Sequence, residues 1–466
     1  MSDQRTTTPV VNEAALLQLQ TRLRGRLLRP ADQGYDAARR VWNAMIDKRP
    51  AAIARCVGAA DVIQCVAFAR EQNLLVSMRG GGHNVAGSAV CDGGLMIDLS
   101  PMKSIRVDLP AKTVRSEPGV LWGELDRETQ AFGLATPGGF VSTTGIAGLT
   151  LGGGQSWLAS KFGFAIDNLL SVDIVTAKGE LMRASLAEND DLFWAVRCAG
   201  HNFGVVTSFE YRLHPVTTVL GGMVLHPFDR AAEVLRFYRD FSAALPDELT
   251  TAAGILTGPD GTLLAAVIVC FAGALDEGER VIAPVRRFGP PVADTIGPTP
   301  YTAHQTMLDA AFPPGRFNYW KSSLTNRLSD DVIEAIVSYG RRIPSSSSAI
   351  VIADFHGAYS RVGKHQTAYF HRDMQYDIVI ASSWNDQVES ERNHSWTREL
   401  FHAIEHHVPH AVYVNDLDQD EGDERVKQAY GENYTRLAAI KHKYDPTNVF
   451  RANKNIRPAA TQSAGA

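Results

Sequence analysis

The sequence predicts an α+β protein of more than one domain, and three observations lead there. Its 466 residues exceed what one ordinary core accommodates. From Ala52 onward, short apolar segments alternate with helical patterns and with dense runs of glycine. After about residue 218 the glycine punctuation thins, and longer helical patterns alternate with apolar strands, the texture of a second α/β or α+β unit.

The first unit begins with a strand over 52–56 and a helix over about 61–69, whose apolar positions are Val62, Ile63, Val66, Ala67 and Ala69 and for which Asp61 is the expected cap. A strand over 74–78 then runs straight into Arg79-Gly80-Gly81-Gly82-His83-Asn84. Further strands are predicted over 95–99, 104–108, 113–117, 174–176 and 203–211, with a helix over 122–132. In the second unit the predicted helices are 230–245, 277–288 and 330–341, and the predicted strands include 263–271 and 349–355. The stretch 424–443 reads as a single helix stopped by Asp445-Pro446. The small, polar tail 459–466 is expected to be disordered.

Composition narrows the function. Hydrophobic residues make up 45% and charged residues 21%, enough apolar material for a large core and a buried pocket. The net charge is −5 and Lys and Arg are scattered among acids, so the basic stripe of a nucleic-acid binder is missing. Cys56, Cys65, Cys91, Cys198 and Cys270 form no C-x-x-C pair, which favours buried free thiols over a metal site or a disulfide framework. No run of about 18 apolar residues is present. Residues 1–26 carry Thr6-Thr7-Thr8-Pro9 and an amphipathic pattern at Leu16, Leu17, Leu19 and Leu23 rather than a secretory apolar core, so the expected location is cytoplasmic.

Five elements carry chemistry. Three glycines after a strand, at 80–82, let consecutive backbone N–H groups converge on an anion, although the spacing is not the G-x-G-x-x-G of a nicotinamide-dinucleotide site. A lone triple glycine is more often a tight turn, and a loop histidine more often a satisfied polar residue than a reactive one. A second run shifts that balance: Thr136-Pro137-Gly138-Gly139, then Ser142-Thr143-Thr144-Gly145-Ile146-Ala147-Gly148-Leu149-Thr150-Leu151-Gly152-Gly153-Gly154, a wall that lets backbone approach a flat ligand face-on. Phe164 to Leu169, with Asp167 and Asn168, follows directly. Gly200-His201-Asn202-Phe203-Gly204-Val205-Val206-Thr207 suits a backbone edge along an adenosine. Last come Tyr413-Val414-Asn415-Asp416 and Tyr444-Asp445-Pro446 to Asn453-Lys454-Asn455-Ile456, in which two asparagines two apart on an extended segment can aim their amides at one face.

Jointly, from about residue 35 to 458, these motifs resemble the berberine-bridge-enzyme-like branch of the vanillyl-alcohol-oxidase flavoproteins. The resemblance implies an α+β fold: a two-subdomain PCMH-type FAD-binding domain (41–217), an α/β substrate domain whose antiparallel sheet is covered by helices (218–409), and a C-terminal segment (410–458) that returns to the FAD domain, after an N-terminal extension (1–40). It implies FAD as cofactor, held by Arg79, Gly80, Gly81, Gly82, His83, Asn84, Gly87 and Ser88, by Pro137, Gly138, Gly139, Thr143, Thr144, Gly145, Gly148, Gly152, Gly153 and Gly154, and by Asn168, Gly204, Val205, Val206, Tyr413, Asn415, Asn453 and Asn455. His83 matches the family's flavin-linking histidine. The cysteine that makes a second link in some members is replaced, the C-P-T run reading Val141-Ser142-Thr143, so a single link is implied.

The implied reaction is hydride transfer from a C–H bond of an alcohol, hemiacetal, amine or phenolic metabolite to flavin N5, with O2 as electron acceptor and H2O2 as product. Partners are then a small organic substrate and O2, with neither nucleic acid nor membrane, and no metal is expected. Alternatives on the same fold are a dehydrogenase with another acceptor and a flavin-bearing drug-binding or resistance protein. Relatives carry Y-x-N-Y with a tyrosine base. Here Asp416 replaces the second tyrosine, which leaves Tyr413 with a depressed pKa, Asp416, or a substrate-domain residue such as Tyr376, Asp354 or His356 as candidate bases. Trp320 and Trp384 are candidates to line the substrate pocket.

Overall fold

A computed structural model describes residues 12–460 of the chain. Thr6 to Pro9 and the tail from 461 onward lie outside the described residues.

Strands 52–55, 95–98 and 76–79 pair in parallel in the order 52–55, 95–98, 76–79, and the helix Ala59–Glu71 crosses from 52–55 to 76–79. Val62, Cys65, Val66 and Ala69 of that helix are buried against Ala52, Ala54, Leu95 and Ile97. Asp61 is not its cap. Gly58 holds the cap position, while the Asp61 carboxylate sits in the first turn and accepts from the backbone N–H groups of Arg24, Gly25 and Val57 at 2.8, 3.1 and 3.0 Å. Residues 26–28, expected in an N-terminal extension, add an antiparallel strand beside 52–55 and complete a four-stranded sheet.

A second, five-stranded antiparallel sheet runs in the order 105–108, 113–116, 204–212, 169–176, 181–185. The chain leaves it at Arg212 and enters an eight-stranded antiparallel sheet at Thr218. The strands of that sheet include 218–227, 263–271, 249–257, 349–354, 376–384 and 317–325, hydrogen-bonded in that order. Helices Ala231–Ser242, Leu275–Arg287, Asp330–Gly340 and Ser390–Glu405 cover one face of it, burying Val234, Leu235, Ile282, Ile333, Ile336, Trp396 and Leu400 against Ile255, Val267, Ile352 and Ile380. The other face, which carries Ala252, Ile268 and Cys270, meets Trp157 and Leu158 of the glycine-rich region.

The predicted helix over 424–443 is two helices, Asp423–Tyr430 and Asn433–Tyr444. Gly431 breaks it at φ +50°, tight against the Phe370 ring, where a Cβ would collide. The five cysteines are buried and free. Among the described residues no helix is long and apolar enough to cross a membrane.

Candidate flavin and substrate site

The two glycine runs meet backbone to backbone. A Cβ on Gly81 would lie 2.6 Å from the N and Cα of Gly145, so neither residue tolerates a side chain. Pro137 to Gly139 are buried, with Gly138 against the face of Trp122. Thr144 accepts the Trp122 backbone N–H at 3.0 Å and Thr143 stays exposed. Gly148 is exposed with nothing within 4 Å of where a Cβ would stand, leaving one open face on this wall. Beside it, Asn84, Gly87 and Ser88 form a turn: Asn84 accepts from Ser88 N through its side chain at 3.1 Å and from Gly87 N through its carbonyl at 3.0 Å. Arg79 donates to Ala38 O at 2.5 Å, and its Nε has no partner.

His83 sits at the crossing. Its ring stacks on Trp42, 4.4 Å between centroids at 18°. Nε2 is buried without a hydrogen-bond partner. Burial pushes the imidazole down to about 4, so it is neutral at physiological pH and carries a free lone pair.

The C-terminal segment closes the wall from the other side. Asn415 fills the space a Cβ on Gly152 would need, and the Tyr413 ring would lie 2.9 Å from a Cβ on Gly153, which has φ +132°. Gly154, at φ +88°, is equally crowded by Ala165. The Tyr413 oxygen accepts from Gly154 N and from Asn415 Nδ2, both at 2.8 Å, and Asn415 Nδ2 also donates to Leu149 O at 3.1 Å. Complete burial raises the Tyr413 phenol. The expectation of a depressed-pKa Tyr413 is therefore corrected, because two bonds to the oxygen do not offset loss of water around the charge.

Asn453 and Asn455 each keep a buried side-chain oxygen without a partner. Asn453 Nδ2 donates to His201 O at 2.8 Å, and Asn202 both accepts from Ile456 N at 2.9 Å and donates to Lys454 O at 3.2 Å. A fully buried ion pair clamps this loop. Lys441 Nζ lies 2.7 Å from Asp445 Oδ2 and donates to Asn202 O and Phe450 O at 2.7 and 2.9 Å, while Asp445 accepts from Val449 N and Phe450 N. From Gly204 to Val206 the strand pairs only with Ile174 to Thr176, because 113–116 joins its other side only from Phe209. Next to that open backbone edge lies a cavity of about 310 Å³ whose lining includes Met102, Ser116, Thr207 and Ser208.

Asn168 is not part of this arrangement. Its amide donates to Phe162 O and Phe164 O at 2.8 and 3.0 Å and its oxygen faces His214 Nε2 at 2.6 Å, so every polar atom is engaged in holding its own loop.

On the substrate-sheet side, strand parity decides what reaches the site. Tyr376 points into the helix-covered core, its hydroxyl 2.7 Å from Ser242 Oγ, which removes it as a base. Asp354 stands opposite Tyr376 in register and shares its face. Its carboxylate pairs with His356 Nδ1 and accepts from Gln375 Nε2 at 2.7 Å, while His356 Nε2 lies 3.1 Å from Pro246 O. Trp384 donates to Ser390 Oγ at 3.1 Å on the helix side, away from the face that carries Trp320. Trp320 lies on the opposite face, its Nε1 buried without a partner and its ring 5.7 Å from that of Trp42.

The neighbouring residue, Asp377, is the acid that faces the site, and sequence reasoning missed it. It is fully buried and accepts from Gln155 Nε2 at 2.8 Å. Asp416 lies beside it. Burial lifts Asp377 to about 6, and burial followed by the Asp377 charge lifts Asp416 well above the carboxylate range. Asp377 Oδ1 and Asp416 Oδ2 remain without partners. Two neighbouring acids largely shielded from water oppose each other's ionisation, so Asp416 gives up its proton less readily than an ordinary carboxyl group. The signal was a lone Asp directly before the apolar run Ile378 to Ala381 in the strand Tyr376–Trp384.

Residues 50–185 match the family of FAD binding domains and residues 412–457 the berberine and berberine-like family. An FAD-linked oxidoreductase of Dictyostelium discoideum is 33% identical over 90% of this chain and 91% of its own. The (R)-6-hydroxynicotine oxidase of Paenarthrobacter nicotinovorans is 33% identical over 94% of this chain and 97% of its own. The crystal structure of 6-hydroxy-D-nicotine oxidase from Arthrobacter nicotinovorans superimposes with a TM-score of 0.85 at 32% identity, covering 94% of this chain and 98% of that one.

Proposed function

The chain belongs to the berberine-bridge-like FAD-linked oxidoreductases, and from that premise we propose that it is an oxidase carrying FAD on a single bond to His83, with the Asp377–Asp416 pair as the base. The observation that carries the reading is a neutral, half-buried imidazole whose Nε2 is buried and unpartnered, set at the crossing of two glycine loops.

The residues present fit the cofactor. Gly80 to Gly82 and Gly145 offer backbone without side chains, Gly148 leaves an open face, and Asn453 and Asn455 present free amide oxygens. The open edge at Gly204 to Val206 suits the adenosine end. FAD, when bound, supplies the hydride acceptor. The chain's own part is to hold the donor carbon, exclude water, and take the substrate's O–H or N–H proton on the acid pair as the C–H bond breaks. Trp320 and the small residues of the substrate sheet, Ala381, Val351 and Gly254, share the face that carries Asp377. An apolar donor bearing one ionisable O–H or N–H suits this wall. That one relative is a hydroxynicotine oxidase by name supports a donor of this kind.

Acid denaturation tests the link. Yellow colour should stay with the wild-type polypeptide and leave His83→Ala. A wild-type protein that releases all its flavin refutes the covalent bond. Steady production of H2O2 on an amine and alcohol panel supports the oxidase reading, whereas turnover with an artificial acceptor but not with O2 refutes it.

A further inference from the structure

The segment before the first parallel strand has a role that motif reading did not assign. Residues 42–44 form neither helix nor strand, yet almost every polar group there is tied down. Trp42 donates its backbone N–H to Gly82 O and accepts from Gly315 N, both at 3.0 Å, and its indole Nε1 donates to Phe312 O at 3.0 Å. Asn43 is buried. It donates to Val85 O at 2.7 Å and Asn318 O at 2.9 Å, and accepts from Asn318 N at 3.0 Å. Ala44 N donates to Arg316 O at 2.9 Å. The segment is thus stitched on one side to the loop that carries His83, at Gly82 and Val85, and on the other to residues 312–318 at the start of strand 317–325.

Such a segment gives the Trp42 ring one position. With its backbone N–H, carbonyl and indole N–H all engaged, the indole is a fixed plate, and the His83 imidazole lies nearly parallel on it. A surface imidazole samples several χ2 orientations. One sandwiched against a fixed indole keeps a single plane, so its ring edge is aimed before any reaction begins.

We infer that Trp42 is a positioning residue for flavin attachment: it holds the His83 ring in the orientation from which an unprotonated nitrogen meets the flavin 8-methyl carbon. The inference rests on the covalent reading above. In the attachment, a C–N bond forms between that nitrogen and the methyl carbon. One methyl C–H and the imidazole N–H are given up as protons. The two electrons left on the ring pass to O2, which with the two protons becomes H2O2.

The test separates attachment from binding. Wild type, Trp42→Leu, Trp42→Phe and His83→Ala are produced under riboflavin limitation and loaded with FAD. Total bound flavin and acid-stable flavin are then followed over time. Trp42→Leu should load FAD to the wild-type stoichiometry but attach it about tenfold more slowly, and Trp42→Phe, which keeps the stack, should stay within about threefold of wild type. Trp42→Met, flexible and without a ring, replaces the leucine variant if that one does not fold, with the same expectation. Attachment by the leucine or methionine variant at the wild-type rate overturns the inference. So does equal slowing by the phenylalanine and the aliphatic variants, which would make the indole a structural support only. If the wild type itself yields no acid-stable flavin, the covalent reading fails first, and that control identifies the cause.

Discussion

The two walls of the site are built by opposite rules. The glycine-rich wall, built from residues 79–88 and 136–154, is made of contiguous runs of backbone: its glycines are there because Gly81 and Gly145 touch and because Gly153 and Gly154 take positive φ against Tyr413 and Ala165. The opposite wall is made of single side chains: Trp320 and Asp377 on paired strands, whose relevance depends on which face of the sheet they occupy, and Asp416 on the short 3-10 turn Val414–Asp416. A contiguous wall fails when a side chain is added to it. A dispersed wall fails when one functional group is neutralised.

The largest effect should come from the dispersed wall. Asp377→Asn should slow anaerobic flavin reduction about 10²–10⁴-fold, read by stopped flow with any substrate that reduces the wild type. In the wild type that rate should rise with pH through about 6, as the pair gains its carboxylate. Stability should move the other way. An acid with a raised folded pKa stabilises fully below the ordinary carboxylate range and loses that contribution as pH climbs, so Asp416→Asn should unfold later than wild type at pH 8, by about 1–3 kcal/mol, and not at pH 4. A variant that loses activity and stability together at pH 8 would make the pair structural.

Next comes the contiguous wall. Gly81→Ala forces a methyl group into the Gly145 backbone at an overpacking cost of about 1–3 kcal/mol, so FAD loading should weaken about 10- to 100-fold, measured by the bound 450 nm absorbance on titration. Unchanged loading would mean that the two loops move apart freely. The smallest effect should be that of Tyr376→Phe, which removes only the Ser242 bond on the far face. It should cost about 1 kcal/mol in an unfolding titration and leave flavin reduction within about twofold of wild type. A large kinetic loss there would refute the parity argument that separates Tyr376 from Asp377.

This contrast also explains what could be read from sequence. The glycine walls, the strand Leu263–Phe271 and the helix Asp330–Gly340 were legible because the signal for each is local. Asp377 was not. The residue beside it, Tyr376, is a plausible base by chemistry, and only the pairing of 376–384 with 349–354 and 317–325 reveals which of the two faces the glycine-rich wall. Asn168 entered through the family resemblance of its Asp167-Asn168-Leu169 run, and only the folded chain shows its polar atoms taken up by three bonds of its own neighbourhood. Trp42 went unnoticed because its stacking partner lies across an irregular segment that carries no periodic pattern.

The buried Lys441–Asp445 clamp has a consequence in time. It fastens onto residues 200–202 a loop that is translated long after them, and the same late segment brings Tyr413, Asn415 and Asp416. At about 5–20 residues per second, the ribosome delivers these groups on the order of tens of seconds after His83 has emerged. The contacts that residues 413–416 and 441–445 make with Leu149, Gly154 and Asn202 can therefore form only once synthesis is nearly complete.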